Sequence, residues 1–432
     1  MRSRSHFIMK KENELKLLNA LRIKQFFSQE ELAHKINLDT KTIRNVLFSL
    51  LKRKLVIVAG FYPSSGGRRA KKIQLNPDNL YIGIDFGVTH VSGVLTNAWG
   101  NILYSQDIKI EKNEASNSII NKIISTIKTL IESAQNKNLF ENLVFRNKTS
   151  GVGQNKNLFE NLVFRNKTSG VGQNKNILGI GIGVPGLIDR KKEISLYAVY
   201  LPQWKNVSVV KILKDKFGLP VFIDDCSRIG AIAEKLFGLA REDDDFVFLD
   251  LGIGIGCVFF NRGVLQTGAT DSAGQIGHTI VKPGGKLCIC GRKGCLESIL
   301  SGESIPKEYR SKSKNIEVET CKEVAELAKS GDRLAIKIIN NAGKYLGIAV
   351  SNLINLLNPE KIILGGGLIK IGDLLLEPMK ETIKEYAYPE LLKPVEIKIS
   401  NLNDNAGALG AAVLAMDKIF KFPFLKLSSG EA

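Results

Sequence analysis

Tyr81-Ile82-Gly83-Ile84-Asp85-Phe86-Gly87-Val88-Thr89 has the pattern of an apolar strand that runs into a tight acidic turn. Such a turn is common by itself, but two further stretches repeat the design. Leu249-Asp250-Leu251-Gly252-Ile253-Gly254-Ile255-Gly256 follows a second apolar strand, and Ile362-Ile363-Leu364-Gly365-Gly366-Gly367 follows a third, introduced by Asn358-Pro359. Glycine at the end of a strand lets backbone amides come close to a phosphate or nucleoside. Asp85, Gly87, Thr89, Gly252, Gly254, Gly365 and Gly366 are therefore candidate nucleotide-loop residues. Further strands are expected at Val91–Leu95, Ile102–Ile108 and Ile177–Val184, with a long helix at Ser116–Ala134, which makes this part of the chain α/β.

A chain of 432 residues exceeds what one hydrophobic core organises, so two or three domains are expected. Its 44% hydrophobic and 24% charged residues describe a globular protein. No apolar run approaches the roughly 18 to 20 residues of a membrane span, and residues 1–11 lack the apolar core of a signal peptide, so a cytoplasmic location without a membrane partner is expected. The net charge of +18 is uneven: residues 1–80 hold 17 Lys and Arg against 6 Asp and Glu. That excess points to an anionic partner for the N-terminal part.

The first eighty residues have the organisation of a winged helix-turn-helix. Leu15, Leu17, Leu18 and Leu21 give Lys10–Arg22 helical spacing; Ser28 with Glu31 forms a capping box for a second helix, and Asp39 or Thr40 caps a third that runs to about Lys52. In the third helix Ile43, Val46, Leu47, Leu50 and Leu51 form one stripe, while Lys41, Thr42, Arg44, Asn45 and Ser49 supply the polar face that can enter a major groove. Strands at Leu55–Ala59 and Ile73–Leu75 flank a wing whose tip, Ser64-Ser65-Gly66-Gly67-Arg68-Arg69, places Arg68 and Arg69 on flexible glycines suited to a narrow minor groove. The partner this implies is double-stranded operator DNA, bound by a homodimer on a two-fold site. A solvated charge face or a protein-binding winged domain would show a similar pattern.

Asn76-Pro77-Asp78 ends that pattern and sets a domain boundary near residue 78: 1–78 is a DNA-binding domain and 79–432 a second, larger one. Within the latter, residues 135–153, QNKNLFENLVFRNKTSGVG, recur unchanged as 154–172. Two identical units are too few for a solenoid and read as a tandem duplication in a surface loop, 135–172.

His278, Cys288, Cys290 and Cys295 follow the pattern His-x9-Cys-x-Cys-x4-Cys, with glycines at 284, 285, 291 and 294 for sharp turns. Three thiolates and an imidazole are the ligand set of a closed structural zinc site, one per chain; inert thiols or a redox pair are the alternatives. Cys226, Cys257 and Cys321 fall outside the pattern and are expected to pack as small apolar residues.

With the three glycine loops, Gly179-Ile180-Gly181-Ile182-Gly183-Val184-Pro185-Gly186, Trp204, the 224–234 segment, the 273–278 segment and the cysteine cluster through Glu297, the chain resembles the ROK family from about residue 80 to 416. That family groups sugar kinases with sugar-responsive repressors, and the wing before residue 80 is similar to its repressor branch. The resemblance implies a two-lobed actin-like, ribonuclease H-like ATPase fold after the winged domain. It further implies a sugar pocket beside the zinc knot, with Gly186, Asp225, Gln275, His278 and Glu297 as effector-binding residues.

The family's kinases carry an Asn-Asp pair whose aspartate takes the proton from the sugar hydroxyl. Counting back from Glu234 puts Asp225 at the asparagine and Cys226 at the aspartate, so the base is missing; a register shifted by one would make Asp224-Asp225 the pair. Val88 and Ile253 stand where phosphate-facing glycine and hydroxyl residues are usual, Gln275 where a glutamate is usual, and Tyr200 where an asparagine is usual. The expectation is a sugar-controlled repressor that is not an enzyme. The runner-up is an active sugar kinase with a DNA-binding appendage, followed by a regulator whose ligand is a protein.

Overall fold

The computed structural model describes residues 2–63, 69–111, 113–135, 176–313, 317–402, 404–420 and 426–427. The wing tip 64–68, and with it Arg68, lies outside the described residues, as does 136–172 of the duplicated insert. The chain divides into two compact units, the first made of Met1–Leu196, Gln203–Asp224 and Ala411–Phe424 and the second of Tyr197–Pro202, Asp225–Gly410 and Leu425–Ala432.

The chain opens with α1 (Arg2–Ile23), α2 (Gln29–Lys35) and α3 (Thr40–Lys52), then the hairpin β1 (Val56–Phe61) and β2 (Lys71–Leu75). The first helix begins well before Lys10 because no glycine or proline interrupts residues 2–9, although apolar spacing marks only its later turns. Ser28 and Glu31 form the reciprocal capping box at α2, and Asp39 caps α3 by accepting from the Thr42 amide at 2.9 Å. Val56↔Leu75 sets the register of the hairpin, and Phe27 pairs with Ile73 through two backbone hydrogen bonds, which seats the turn before α2 against the wing.

Next come β3 (Asn79–Phe86), β4 (His90–Asn97), β5 (Ile102–Lys109), α4 (Ser116–Gln135) and β6 (Asn176–Val184). They are followed by β7 (Leu187–Asp189), β8 (Ile194–Ala198), β9 (Leu201–Val207), α5 (Val209–Phe217) and β10 (Val221–Asp225). A five-stranded sheet runs in the order β10-β6-β3-β4-β5, with β3 parallel to β6 and antiparallel to β4; a smaller sheet has the order β7-β8-β9. Strand β3 lies inside the sheet and is almost wholly buried, which is why it reads as a near-continuous apolar run. Trp204 is fully buried, tilted against Phe86 at 4.5 Å, and donates from its indole to Ser195 at 2.8 Å.

The second unit contains α6 (Cys226–Phe237), β11 (Phe246–Leu251), β12 (Ile255–Asn261), β13 (Val264–Leu265), α7 (Ser304–Lys312), α8 (Cys321–Lys329) and α9 (Arg333–Leu357). After these come β14 (Lys361–Gly365), α10 (Asp373–Tyr386), α11 (Pro389–Leu392), β15 (Glu396–Ile399), α12 (Ala406–Phe420) and β16 (Lys426–Leu427). Its six-stranded sheet has the order β15-β14-β11-β12-β13-β16, and its core gathers the inner faces of β11, α9 and α10 around Leu251, Ile339, Leu346, Leu364 and Met379. From Ala411 onward α12 belongs to the first unit, where it lies so close to β6 that a Cβ on Gly181 would stand 1.7 Å from the Ala411 carbonyl oxygen.

The winged helices join the rest of the first unit through polar contacts, two of them with that same helix. Arg22 donates to Met416 Sδ at 3.3 Å, and its guanidinium is lowered to about 10, chiefly by burial. Arg53 donates to the Phe420 carbonyl at 2.8 Å and pairs with Glu14 at 2.9 Å, and Trp99 donates to the Leu21 carbonyl at 3.2 Å. No helix among the described residues is long and apolar enough to cross a membrane.

Candidate functional site

On α3, Ile43, Val46, Leu47 and Leu50 are buried, leaving Lys41, Arg44 and Asn45 exposed on the opposite face. Thr42 is half-buried and donates from its hydroxyl to the Asp39 carboxylate at 2.6 Å. Ser49 turns to the side and donates to Glu14 at 2.8 Å. Phe48, 71% exposed, stands four residues after Arg44 and shares its face; polar patterning passes over an apolar residue there, although helical spacing alone places it. Arg69 is exposed beside the wing, and Lys72 sits over the Tyr62 ring at 5.0 Å.

In the second unit the structure brings His278, Cys288, Cys290 and Cys295 together, with every ligand atom within 4.8 Å of the others. Cys288 Sγ is 3.7 Å from His278 Nδ1, and Cys290 Sγ is 3.6 Å from Cys295 Sγ. Tetrahedral zinc with bonds of about 2.3 Å to sulfur requires ligand separations of about 3.7 Å, so the donor set and its spacing fit that ion. Local backbone produces the cluster. His278 closes a 3-10 turn, Ile276–His278; Gly291 and Gly294 adopt positive φ, and a Cβ on Gly294 would meet the Lys282 carbonyl oxygen at 1.8 Å. Burial pushes the Cys295 thiol up to about 12, with Cys290 and Cys288 adding to it, whereas the Cys290 thiol is lowered first by the Arg292 amide. A bound dication would reverse the raised values by favouring the thiolates.

Cys295 leads directly into the turn Leu296–Ser298, so the His-Cys cluster fixes the position of Glu297. That carboxylate is buried; Tyr200 donates its hydroxyl to Oε1 at 2.9 Å, and the Ile255 amide donates to Oε2 at 2.9 Å. Burial, and then Glu297, raises the Tyr200 phenol well above its ordinary value. Cβ atoms on Gly254 and Gly277 would stand 3.2 and 3.1 Å from Glu297 Oε2, so these glycines leave room for the acid. Gln275, just before the 3-10 turn, is exposed.

Asp225 caps α6 by accepting from the Arg228 amide at 2.9 Å, and Cys226 is the first residue of that helix, half-buried. In the first unit Asp224 pairs with Arg190, whose Nε is 3.1 Å away, and Gly186 adopts a φ of +85°. Sequence reasoning passed over Arg190 because the two partners are 34 residues apart. Gly87 donates to the His90 carbonyl at 2.9 Å, closing the turn that holds Asp85 and Thr89. In the second unit Gly252 donates to the Gly254 carbonyl at 3.0 Å, β11 and β14 pair Asp250 with Gly365, and Gly366 has φ +85° with no room for a Cβ beside Leu251. Two of the three glycine loops therefore meet at one end of this sheet.

A family model described as the ROK family matches residues 156–418. The chain belongs to the ROK family. It is 28% identical to a xylose repressor of Caldicellulosiruptor bescii over 431 residues, which cover 97% of this chain and 99% of that protein. It is also 34% identical to a glucokinase of Thermotoga maritima over 252 residues, covering 56% of this chain and 80% of the kinase. Among solved structures, a ROK family transcriptional regulator described as a homologue of the Escherichia coli Mlc protein superposes with a TM-score of 0.71 at 22% identity, covering 96% of this chain and 98% of that one. The actin-like sugar-kinase fold that the family resemblance implied is thereby established, preceded here by the winged helices.

Proposed function

We propose that this chain is a DNA-binding transcription repressor whose ROK domain senses a sugar or sugar derivative. The extent of its likeness to the xylose repressor carries the reading: that likeness takes in 97% of the chain, winged helices included, whereas the likeness to the glucokinase takes in 56%. On this reading 1–78 is the DNA-binding domain and 79–432 the sensor. Lys41, Thr42, Arg44 and Asn45 address the major groove, and Arg68 and Arg69 the minor groove. Ser49 would contact DNA only by giving up its bond to Glu14. In the second unit Asp225, Gln275, His278 and Glu297 are effector residues, the last two held in place by one structural zinc. The protein acts in the cytoplasm as a homodimer on a two-fold operator.

The test selects bound duplexes from a random library and then measures their affinity by fluorescence anisotropy at one fixed salt concentration, with and without each sugar of a panel that begins with xylose. An effector that prefers one state should change operator affinity roughly 5- to 150-fold. If no sugar that binds changes it, the sensor reading fails.

The same domain is proposed not to be an enzyme. A general base contributes roughly 10²- to 10⁴-fold, and Cys226 occupies its position in the family's pattern. No sugar-dependent ATP turnover is expected, and Cys226→Asp alone should restore little, because Val88 and Ile253 remain. Robust phosphorylation of any sugar by the wild type would favour the kinase reading, which rests on the 34% identity to a glucokinase.

A further inference from the structure

We propose that the second unit carries an anion site for a phosphate-ester metabolite, in a cavity formed by the segment between His278 and Cys288, the end of α7 and the first turns of α9. The cavity encloses about 690 Å³, and its walls present Lys282, Lys286, Lys312, Arg333, Lys337 and Lys344. This site is independent of the repressor reading.

The charge arises from sequence. Residues 279–296 contain four Lys and Arg and no Asp or Glu, and α9 contains no acidic residue over its 25 positions. In α9, Arg333, Lys337 and Lys344 recur at spacings of four and seven, so they share one face. Like charges four apart on a helix oppose each other, and no acid in α9 relieves them. Glu308 is the one carboxylate among the described residues that line the cavity, and it is held by Lys286 and Lys312. Lys282 is kept at the wall by lying 5.6 Å above the Tyr345 ring. Six cations against one carboxylate leave a strongly positive concavity, which concentrates multiply charged anions.

Shape and the remaining donors narrow the class. A cavity of 690 Å³ exceeds what inorganic phosphate fills and lies within the range of small-molecule sites. Asn340 and Asn341 stand on the same helix face between Lys337 and Lys344, offering carboxamides to hydroxyl groups beside the charged ones. Lysine ammonium groups and carboxamides together suit a phosphorylated polyol or sugar better than a duplex, whose backbone needs a longer and shallower surface.

The experiment is calorimetric titration of the full chain with fructose 1,6-bisphosphate, inorganic pyrophosphate and citrate at a fixed 150 mM salt, a concentration at which the Debye length is about 8 Å. Saturable binding of fructose 1,6-bisphosphate at one site per chain is expected, weakened at least about tenfold in the double variant Lys337→Glu, Lys344→Glu. Thermal unfolding of that variant in the absence of anion should match the wild type; should it not fold, Lys344→Gln replaces it, with a smaller loss of the same sign. Pyrophosphate binding as tightly as the bisphosphate would place recognition in the phosphate groups alone, and weaker pyrophosphate binding would add the polyol; both support the site. Citrate binding equally well would overturn the phosphate-ester class. Undiminished affinity in the variants, or no saturable binding to the wild type, would overturn the site itself.

Discussion

Cys295→Ser is expected to strip the metal from the second unit and to cost on the order of 4 kcal/mol, the scale at which loss of a structural metal stands out among single substitutions. The Cys295 sulfur is completely buried and within 3.6 Å of Cys290 Sγ, so a serine hydroxyl there would be both a poor zinc ligand and a buried polar group in need of a new partner. The cost is large because the cluster reinforces a loop that no regular helix or strand spans. Between His278 and Cys295 the backbone turns at Gly284, Gly291 and Gly294, all at positive φ, and its two sides are tied by the isolated bridges Ile280 with Cys295 and Leu287 with Lys293. For a unit of this size the melting point should fall by about 8 to 16 °C. Metal analysis by mass spectrometry and thermal unfolding check the result: one zinc per wild-type chain and none in the variant. Zinc retained in full with an unchanged melt would mean that the four side chains are a packed thiol cluster.

The cluster was legible in the sequence because its four ligands lie within 18 residues and their spacing carries the chemistry. The same holds for the capping box at Ser28 and Glu31 and for the cap at Asp39, each a bond across three residues. Legibility falls off where a partner is distant along the chain. Ser49 reads as part of a groove-facing stripe, but its hydroxyl goes to Glu14, 35 residues earlier and buried. Arg22 reads only as the end of a helical stretch, yet desolvation beside a helix nearly 400 residues later lowers its pKa to about 10. Asp224 and Asp225 are adjacent and chemically identical, and only the fold separates them: one pairs with Arg190 and the other caps α6. The glycine loops were legible as a class because backbone approach demands glycine wherever it occurs. That Gly254 and Gly277 leave room for a carboxylate 43 and 20 residues later is decided by the fold and carries no local sequence signal.

Arg44→Ala and Glu297→Gln are expected to separate the two activities of a repressor. Arg44 is exposed on the outer face of α3, and the packing of that helix depends on Ile43, Val46, Leu47 and Leu50, so its truncation should leave the fold intact. An arginine contact to a base edge or phosphate is worth about 1 to 3 kcal/mol, which predicts operator affinity lower by roughly 5- to 150-fold with unchanged sugar binding. Glu297 is the mirror case. Both its oxygens already accept one bond, from Tyr200 and from the Ile255 amide, and each keeps lone-pair capacity for a ligand hydroxyl. Glutamine preserves the volume and can still accept from the Ile255 amide, whereas alanine would leave that buried N–H unpaired, so the conservative change isolates the loss of charge. Charge-assisted hydrogen bonds are about twice as strong as neutral ones, and sugar affinity should therefore fall roughly tenfold, with operator affinity in the absence of sugar unchanged. Anisotropy against the selected duplex and a thermal-shift titration with the sugar measure the two quantities on the same preparations. If Glu297→Gln weakens DNA binding as much as Arg44→Ala does, the buried carboxylate is a structural strut of the second unit and the effector contact lies elsewhere.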